Sequence, residues 1–180
     1  MNRRKSIGLL GLGSLFLSQN AYSFGQESDP NFIDLFLIRW DYNRIYTFEI
    51  LEAMPESEFE FQPKNEMMPF SKLFTHIGYG LDVYAGVIDG KIPKEEPETS
   101  IKKAKLEYLN RCFDHFETAY KSLNKNELYT KNHYYPDKEP WMEHSVFDMI
   151  MLAYNHTVHH VGQATTYLRL NGITPPRYRF

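Results

Sequence analysis

Three histidines fall within five positions, His156, His159 and His160, inside the stretch Tyr154 to Gln163. On an α-helix of about 3.6 residues per turn, His156 and His160 differ by roughly 40° around the axis and stand about one turn apart along it. They share a face. Steps of three and four continue that face through Val146, Met149, Ala153, Gln163 and Tyr167, a seam of the kind a helix presents to a bundle interior. Neutral imidazoles are costly in an apolar core unless their ring nitrogens find partners, and one metal ion can serve two rings at once. The same pair also fits hydrogen-bonded core histidines or a solvated helix edge, so a third ligand is needed.

His76 supplies the candidate. Around it Pro69, Leu73, His76, Gly80, Val83 and Val87 again step by threes and fours, which turns His76 inward on a second helix. Two histidines from one helix and one from another make a three-nitrogen site with a coordination position left open, as in catalytic zinc sites and unlike structural ones. Three neutral ligands leave the charge of a divalent ion uncompensated, which favours ionisation of a water or thiol beside it; that chemistry serves hydrolysis and S-transfer equally. Gln163, about one turn beyond His160, is the candidate catalytic residue as a substrate or water contact, with a polar bundle-end residue as the plainer reading. Glu49 and Asp82 qualify as general bases only if they face the cavity, and helical phase puts Glu49 off its seam. His159 lies about 60° from His156 on the side away from His160, which suits packing or support of a ligand better than ligation. His115, His133 and His144 read as solvated.

The elements that must position these residues follow from the rest of the chain. Residues 1–23 read as a cleavable signal peptide: basic Asn2-Arg3-Arg4-Lys5, an apolar run from Ser6 to Ser18, and small residues at Ala21 and Ser23. The run is too short for a membrane span, and Arg3-Arg4 admits a twin-arginine signal as well as ordinary Sec secretion. The expected location is therefore periplasmic or extracellular, with one folded domain over residues 24–180. A first helix is expected after Asp29-Pro30, with Phe32, Phe36, Arg39, Asn43, Tyr46, Ile50 and Ala53 as its seam. Leu35, Ile38, Tyr42 and Ile45 broaden the stripe, and the helix stops before Pro55. Glu58 to Pro63 alternates polar and aromatic residues and reads as an extended connector whose Phe59 and Phe61 plug one end of a bundle.

The His76 helix should end at Asp89-Gly90, a charged linker follows over Lys91 to Ser100, and Leu106 to Leu123 mark a third helix. Asn124 to Glu143 is a long Tyr-rich loop, from which Tyr134, Tyr135 and Trp141 could roof a pocket. Ser145 caps a fourth helix with Asp148 three residues on, and Asn171-Gly172 ends it. The expected class is all-α, a four-helix bundle. Composition is that of an ordinary globular domain, 42% hydrophobic and 24% charged with net charge −3, and its Lys and Arg form no basic patch for nucleic acid. Cys112 is the single cysteine, so no intrachain disulfide forms, and it reads as a small buried hydrophobe.

Leu51 to Pro63, Ser71 ahead of His76-Ile77, His156-Thr157-Val158-His159-His160-Val161-Gly162-Gln163, and Tyr167 to Ile173 followed by Pro175-Pro176-Arg177-Tyr178 together resemble the DinB/YfiT-like superfamily. The resemblance implies a four-helix bundle holding one divalent metal, zinc or nickel with manganese as a further candidate, on His76, His156 and His160. His159 matches an extra histidine common in the family. Val161 stands where many relatives carry a basic residue. Characterised members include transferases and isomerases that use low-molecular-weight thiols, and members are often dimers, although no surface stripe in this sequence establishes a homodimer. The function expected is a metal-dependent hydrolase or thiol S-transferase acting on a small molecule. The alternative is a non-catalytic protein that binds a small ligand or metal in an aromatic-lined pocket.

Overall fold

The structure is a computed structural model and describes residues 32–91, 101–124, 126–133 and 143–179. Four helices dominate it: α1 (Phe32–Ala53), α2 (Phe70–Asp89), α3 (Lys102–Lys121) and α4 (Val146–Leu170). A 3₁₀ turn over Glu56–Glu58 follows α1, and two short strands, β1 (Lys131–His133) and β2 (Glu143–Ser145), precede α4. In the bundle α2 packs against α3 and α4, while α1 packs against α4 and α3. No helix among the described residues is long and apolar enough to cross a membrane. The expected leader, the Asp29-Pro30 start of α1, most of the Lys91 to Ser100 linker, and Tyr134, Tyr135 and Trp141 lie outside the described residues, as does the side chain of His133.

The core is aromatic. Trp40 is wholly buried and stacks on Phe36 at 5.8 Å between ring centroids, with Phe116 at 4.6 Å and Phe113 at 5.3 Å tilted against its other sides. Each such contact adds about 0.5–1.5 kcal/mol to the burial itself. Cys112 is buried as read from the sequence.

The helix ends follow local chemistry. Ser145 and Asp148 form a capping box: Asp148 N–H donates to Ser145 Oγ at 3.1 Å and Ser145 N–H donates to Asp148 Oδ2 at 2.9 Å. Gly90 and Gly172 take the left-handed conformation, φ 75° and 71°, that stops α2 and α4. At the end of α1 the Lys102 ammonium donates to the carbonyls of Glu52 and Met54, both at 2.7 Å, placing a cation on the negative end of the helix.

Two connections differ from the sequence reading. Glu58 to Pro63 is a turn rather than an extended segment: Phe61 N–H donates to Glu58 O at 2.9 Å, so Phe59 and Phe61 both reach the bundle end, against Phe70 and Tyr167. The turn also supplies the cap that Pro69 cannot, because the amides of Phe70 and Ser71 donate to the carbonyls of Phe61 and Phe59, both at 2.9 Å. That fixes the first turn of α2, and hence the rotation of His76 further along it. The loop before α4 is not wholly irregular either: Lys131 pairs antiparallel with Ser145, and Val146 and Phe147 donate back to Thr130 and Leu128. A three-residue ladder is too short to show a strand period.

α1 departs further. Leu35, Ile38, Tyr42 and Ile45, expected to widen its core face, are 49%, 53%, 41% and 44% exposed. The buried face is Phe36, Trp40, Asn43, Thr47 and Ile50. Ile38 and Ile45 lie roughly 160–180° around the axis from Phe36, so α1 carries two apolar faces and the bundle uses one.

Candidate metal centre

His76, His156 and His160 converge between α2 and α4, with one ring nitrogen from each lying within 4.8 Å of the others. His156 Nε2 and His76 Nε2 face each other at 3.1 Å, and the ring centroids are 4.9 Å apart for His76 and His156, 4.7 Å for His76 and His160 and 4.6 Å for His156 and His160. His160 meets the other two edge to face. His160 is buried, while His76 and His156 are partly exposed, so the group sits at the flank of the bundle with one side towards solvent.

The electrostatics favour neutral rings. Burial, followed by the neighbouring His160 and His76, pushes His156 down to about 4 from its ordinary 6.5. His160 is lowered for the same leading reason, burial, with its bond to Gln163 acting in the opposite sense. Neutral imidazoles carry the lone pairs that a divalent cation needs. His156 Nδ1 is buried without a hydrogen-bond partner among the described residues, which leave the neutral ring not fully satisfied. The donor set, its mutual spacing and the lowered basicity of His156 and His160 therefore fit a metal held by His76, His156 and His160.

The shifted histidine gives metal-free protein a defined pH dependence. Between pH 6.5 and about 4 the unfolded chain binds a proton at His156 that the folded chain does not. Stability contributed by the neutral ring is present above pH 6.5 and is lost as pH falls towards 4. Discounted for the partial exposure of the ring, the loss is about 2 kcal/mol. Urea midpoints of chelated protein across that window should fall accordingly, and replacing His156 by glutamine should flatten the curve.

Gln163 lies beside the cluster and touches it through a ligand. Its Oε1 accepts from His160 Nδ1 at 2.9 Å, which leaves His160 Nε2 for an ion, and its Nε2 lies 3.1 Å from His159 Nε2. His159 packs its ring against His160 at 4.8 Å between centroids. Among the described residues it adds no fourth nitrogen to the cluster. Outer partners of this kind set the tautomer and orientation of a ligating histidine. Replacing Gln163 by alanine should weaken metal binding by about 10–100-fold while replacement by glutamate, which keeps the acceptor, should not; competition with a fluorescent chelator measures both.

One contributor escaped the reading of the sequence. A Cβ at Gly80 would lie 2.6 Å from His156 Cε1 and 2.8 Å from Nδ1, so α2 presents bare backbone where the His156 ring must fit. The available signal was a glycine four residues after His76 on the inward seam. Tyr84 stands edge-on to the same ring at 6.0 Å.

Other candidates lie elsewhere. Glu49 pairs with Arg179. Asp82 is buried but faces α3, where Arg111 Nη1 donates to it at 3.0 Å and His115 Nδ1 lies 2.7 Å away. His115 is thus no solvated surface residue: its Nε2 also faces Asp89 at 3.1 Å, making it a bridge from α3 to two carboxylates of α2. Sequence phase placed it next to the seam without showing that α2 brings acids to meet it.

A four-helix bundle with an open-sided three-histidine centre on its second and fourth helices is the class this geometry defines. A family model described as the DinB family matches residues 27–180, and the chain belongs to that family. Among solved structures it is similar to a DinB-like protein from Bacillus cereus ATCC 10987, with TM-score 0.70 and 20% identity over 82% of this chain and 97% of the other. It is also similar to a DinB-like protein from Bacillus subtilis, with TM-score 0.64 and 21% identity over 81% and 98%. A conserved protein from Enterococcus faecalis matches with TM-score 0.62 and 16% identity over 79% and 98%. At these identities the likeness shows the fold. No curated protein sequence matches the chain.

Proposed function

We propose that this DinB-family protein is a metal-dependent enzyme in which His76, His156 and His160 hold one divalent ion, zinc or nickel before manganese, for chemistry on a small molecule. The observation that carries the reading is the approach of three ring nitrogens to within 4.8 Å from two helices, with no acidic residue among them. A divalent ion on three neutral ligands supplies an electropositive centre at which a water or thiol ionises near neutral pH. The chain's own residues do the positioning. Gln163 orients His160, Gly80 admits the His156 ring against α2, and the edge of Tyr84 restricts its rotation.

Hydrolysis and S-transfer are the two reactions this site suits. The amino-terminal sequence supports export from residue 24 onward by the Sec or twin-arginine route, and an exported location favours hydrolysis, because small thiols are chiefly intracellular reductants. The leading experiment is elemental analysis of untagged protein after dialysis against a weak chelator, wild type beside His76→Ala. About one equivalent of metal in the wild type and none in the variant, followed by metal-dependent turnover in a screen of ester, amide and thiol-transfer substrates, is the expected result. Absence of metal from a folded, reloaded wild type would overturn the reading. Amino-terminal sequencing of protein recovered from the periplasm or medium tests export.

A further inference from the structure

We propose that the groove between α1 and α4, beneath the carboxy-terminal segment, is a binding site for an amphiphilic monoanion, an alkyl carboxylate. It is separate from the metal centre. Tyr154, which lines it, lies roughly 160° around the axis of α4 from His156, so the two sites use opposite faces of one helix.

The headgroup end is a cavity of about 200 Å³ lined by Arg39, Asn43 and four tyrosines, Tyr42, Tyr46, Tyr154 and Tyr178. Tyr178 is held over it by an edge-to-face contact with Tyr46, 5.3 Å between centroids. Among the described residues the lining contains guanidinium, amide and phenol groups and no carboxylate. A second guanidinium, Arg179, reaches the cavity but is already neutralised by Glu49. Arg39 has no ion pair or hydrogen bond among the described residues. The site therefore carries one uncompensated positive charge, which matches a monoanion better than a dianion. Arg39 and Tyr154 are electrostatically coupled: burial raises the phenol's pKa and the guanidinium opposes that rise. Asn43, 7% exposed, has an amide nitrogen with no acceptor among the described residues. A planar guanidinium binds a carboxylate through two parallel hydrogen bonds, and phenols close to it donate to the same oxygens.

The tail end is a wider groove of about 820 Å³ that shares Arg39, Tyr42 and Tyr154 with the first cavity. Beyond those three its described walls are apolar: Phe32, Leu35, Phe36, Ile38 and Met151. This is where the unused apolar face of α1 opens to solvent, with Leu35 and Ile38 about half exposed. A contiguous apolar surface of that kind on a folded chain marks a binding surface, and its volume lies in the range of small-molecule sites. Charge at one end and a long apolar trough at the other select a molecule with the same division.

The test is calorimetric titration of the full-length protein with dodecanoate below its micelle-forming concentration. The parallel titrants are dodecanol, which keeps the tail, butyrate, which keeps the headgroup, and dodecyl phosphate, which carries extra charge. Saturable one-to-one binding of dodecanoate is expected, at least tenfold tighter than any of the three. Arg39→Ala should weaken it at least tenfold and Arg39→Lys by less, and Ile38→Glu should abolish it. Arg39 and Ile38 are exposed, so the variants should keep the wild-type circular dichroism and melting temperature. His156→Ala should bind dodecanoate as the wild type does, which keeps this outcome independent of the metal reading. The proposal is overturned by no binding of dodecanoate, by equal binding of dodecanol, or by indifference to Arg39→Ala. It is equally overturned if sedimentation shows a dimer that Ile38→Glu dissociates and dodecanoate leaves intact, because a second copy then covers the groove.

Discussion

Replacing His156 by alanine should abolish stoichiometric metal retention, with affinity falling well beyond the roughly 10–100-fold that loss of an outer partner produces. The expectation rests on the geometry of the cluster. His156 Nε2 faces His76 Nε2 at 3.1 Å, and its ring touches both other rings, so its removal leaves two imidazoles from different helices and, among the described residues, no third nitrogen to complete the set. Two readouts check it. Metal content after dialysis should fall from about one equivalent to none, and the stabilisation that metal gives the wild type, about 2.7 kcal/mol at a free concentration one hundred times Kd, should vanish. His115→Ala is the informative control. It removes a partner from buried Asp82 and should cost about 1–3 kcal/mol of stability, yet leave metal binding intact, because Asp82 and His115 meet between α2 and α3 whereas the three histidines meet between α2 and α4. A His115 variant that folds but loses its metal would refute the assignment of ligands.

The second large effect is expected at a residue with no ligand atom. Gly80→Ala places a methyl group 2.6 Å from His156 Cε1, well inside van der Waals contact. The atom in the way belongs to a side chain, so the collision is relieved most readily by swinging the imidazole aside. Metal affinity should therefore fall about 10–100-fold, comparable to loss of an orienting partner, while the stability cost stays at about 1–3 kcal/mol for local overpacking. Circular dichroism should be unchanged. The double variant Gly80→Ala/His156→Ala separates mechanisms. If the ring is what the methyl meets, the stability cost of Gly80→Ala should largely disappear once the ring is gone, and the cycle should be strongly non-additive. An additive cycle would show that the methyl disturbs the backbone of α2 instead.

Much of this protein was legible in the sequence because it depends on periodicity within one helix. The seams through His76 on α2 and through His156 and His160 on α4 are local consequences of 3.6 residues per turn, and so are the stops at Gly90 and Gly172 and the Ser145–Asp148 box. A residue's direction from its own helix axis does not require knowledge of the partner, which is why His76 could be grouped with His156 and His160, 80 and 84 positions further on, before any fold was known. What the partner does lies outside that information. Helical phase picked Phe36, Asn43, Tyr46 and Ile50 for the seam of α1, and they are buried; only packing decided that Leu35, Ile38, Tyr42 and Ile45, expected to broaden it, stay outside. Only the close approach of α2 to α4 gave Gly80 its role, because an interaxial distance depends on side chains from two elements at once. The bridge from His115 to Asp82 and Asp89, and the backbone cap that Phe59 and Phe61 provide for α2, likewise join residues whose meeting depends on how separate segments stack rather than on any spacing along the chain.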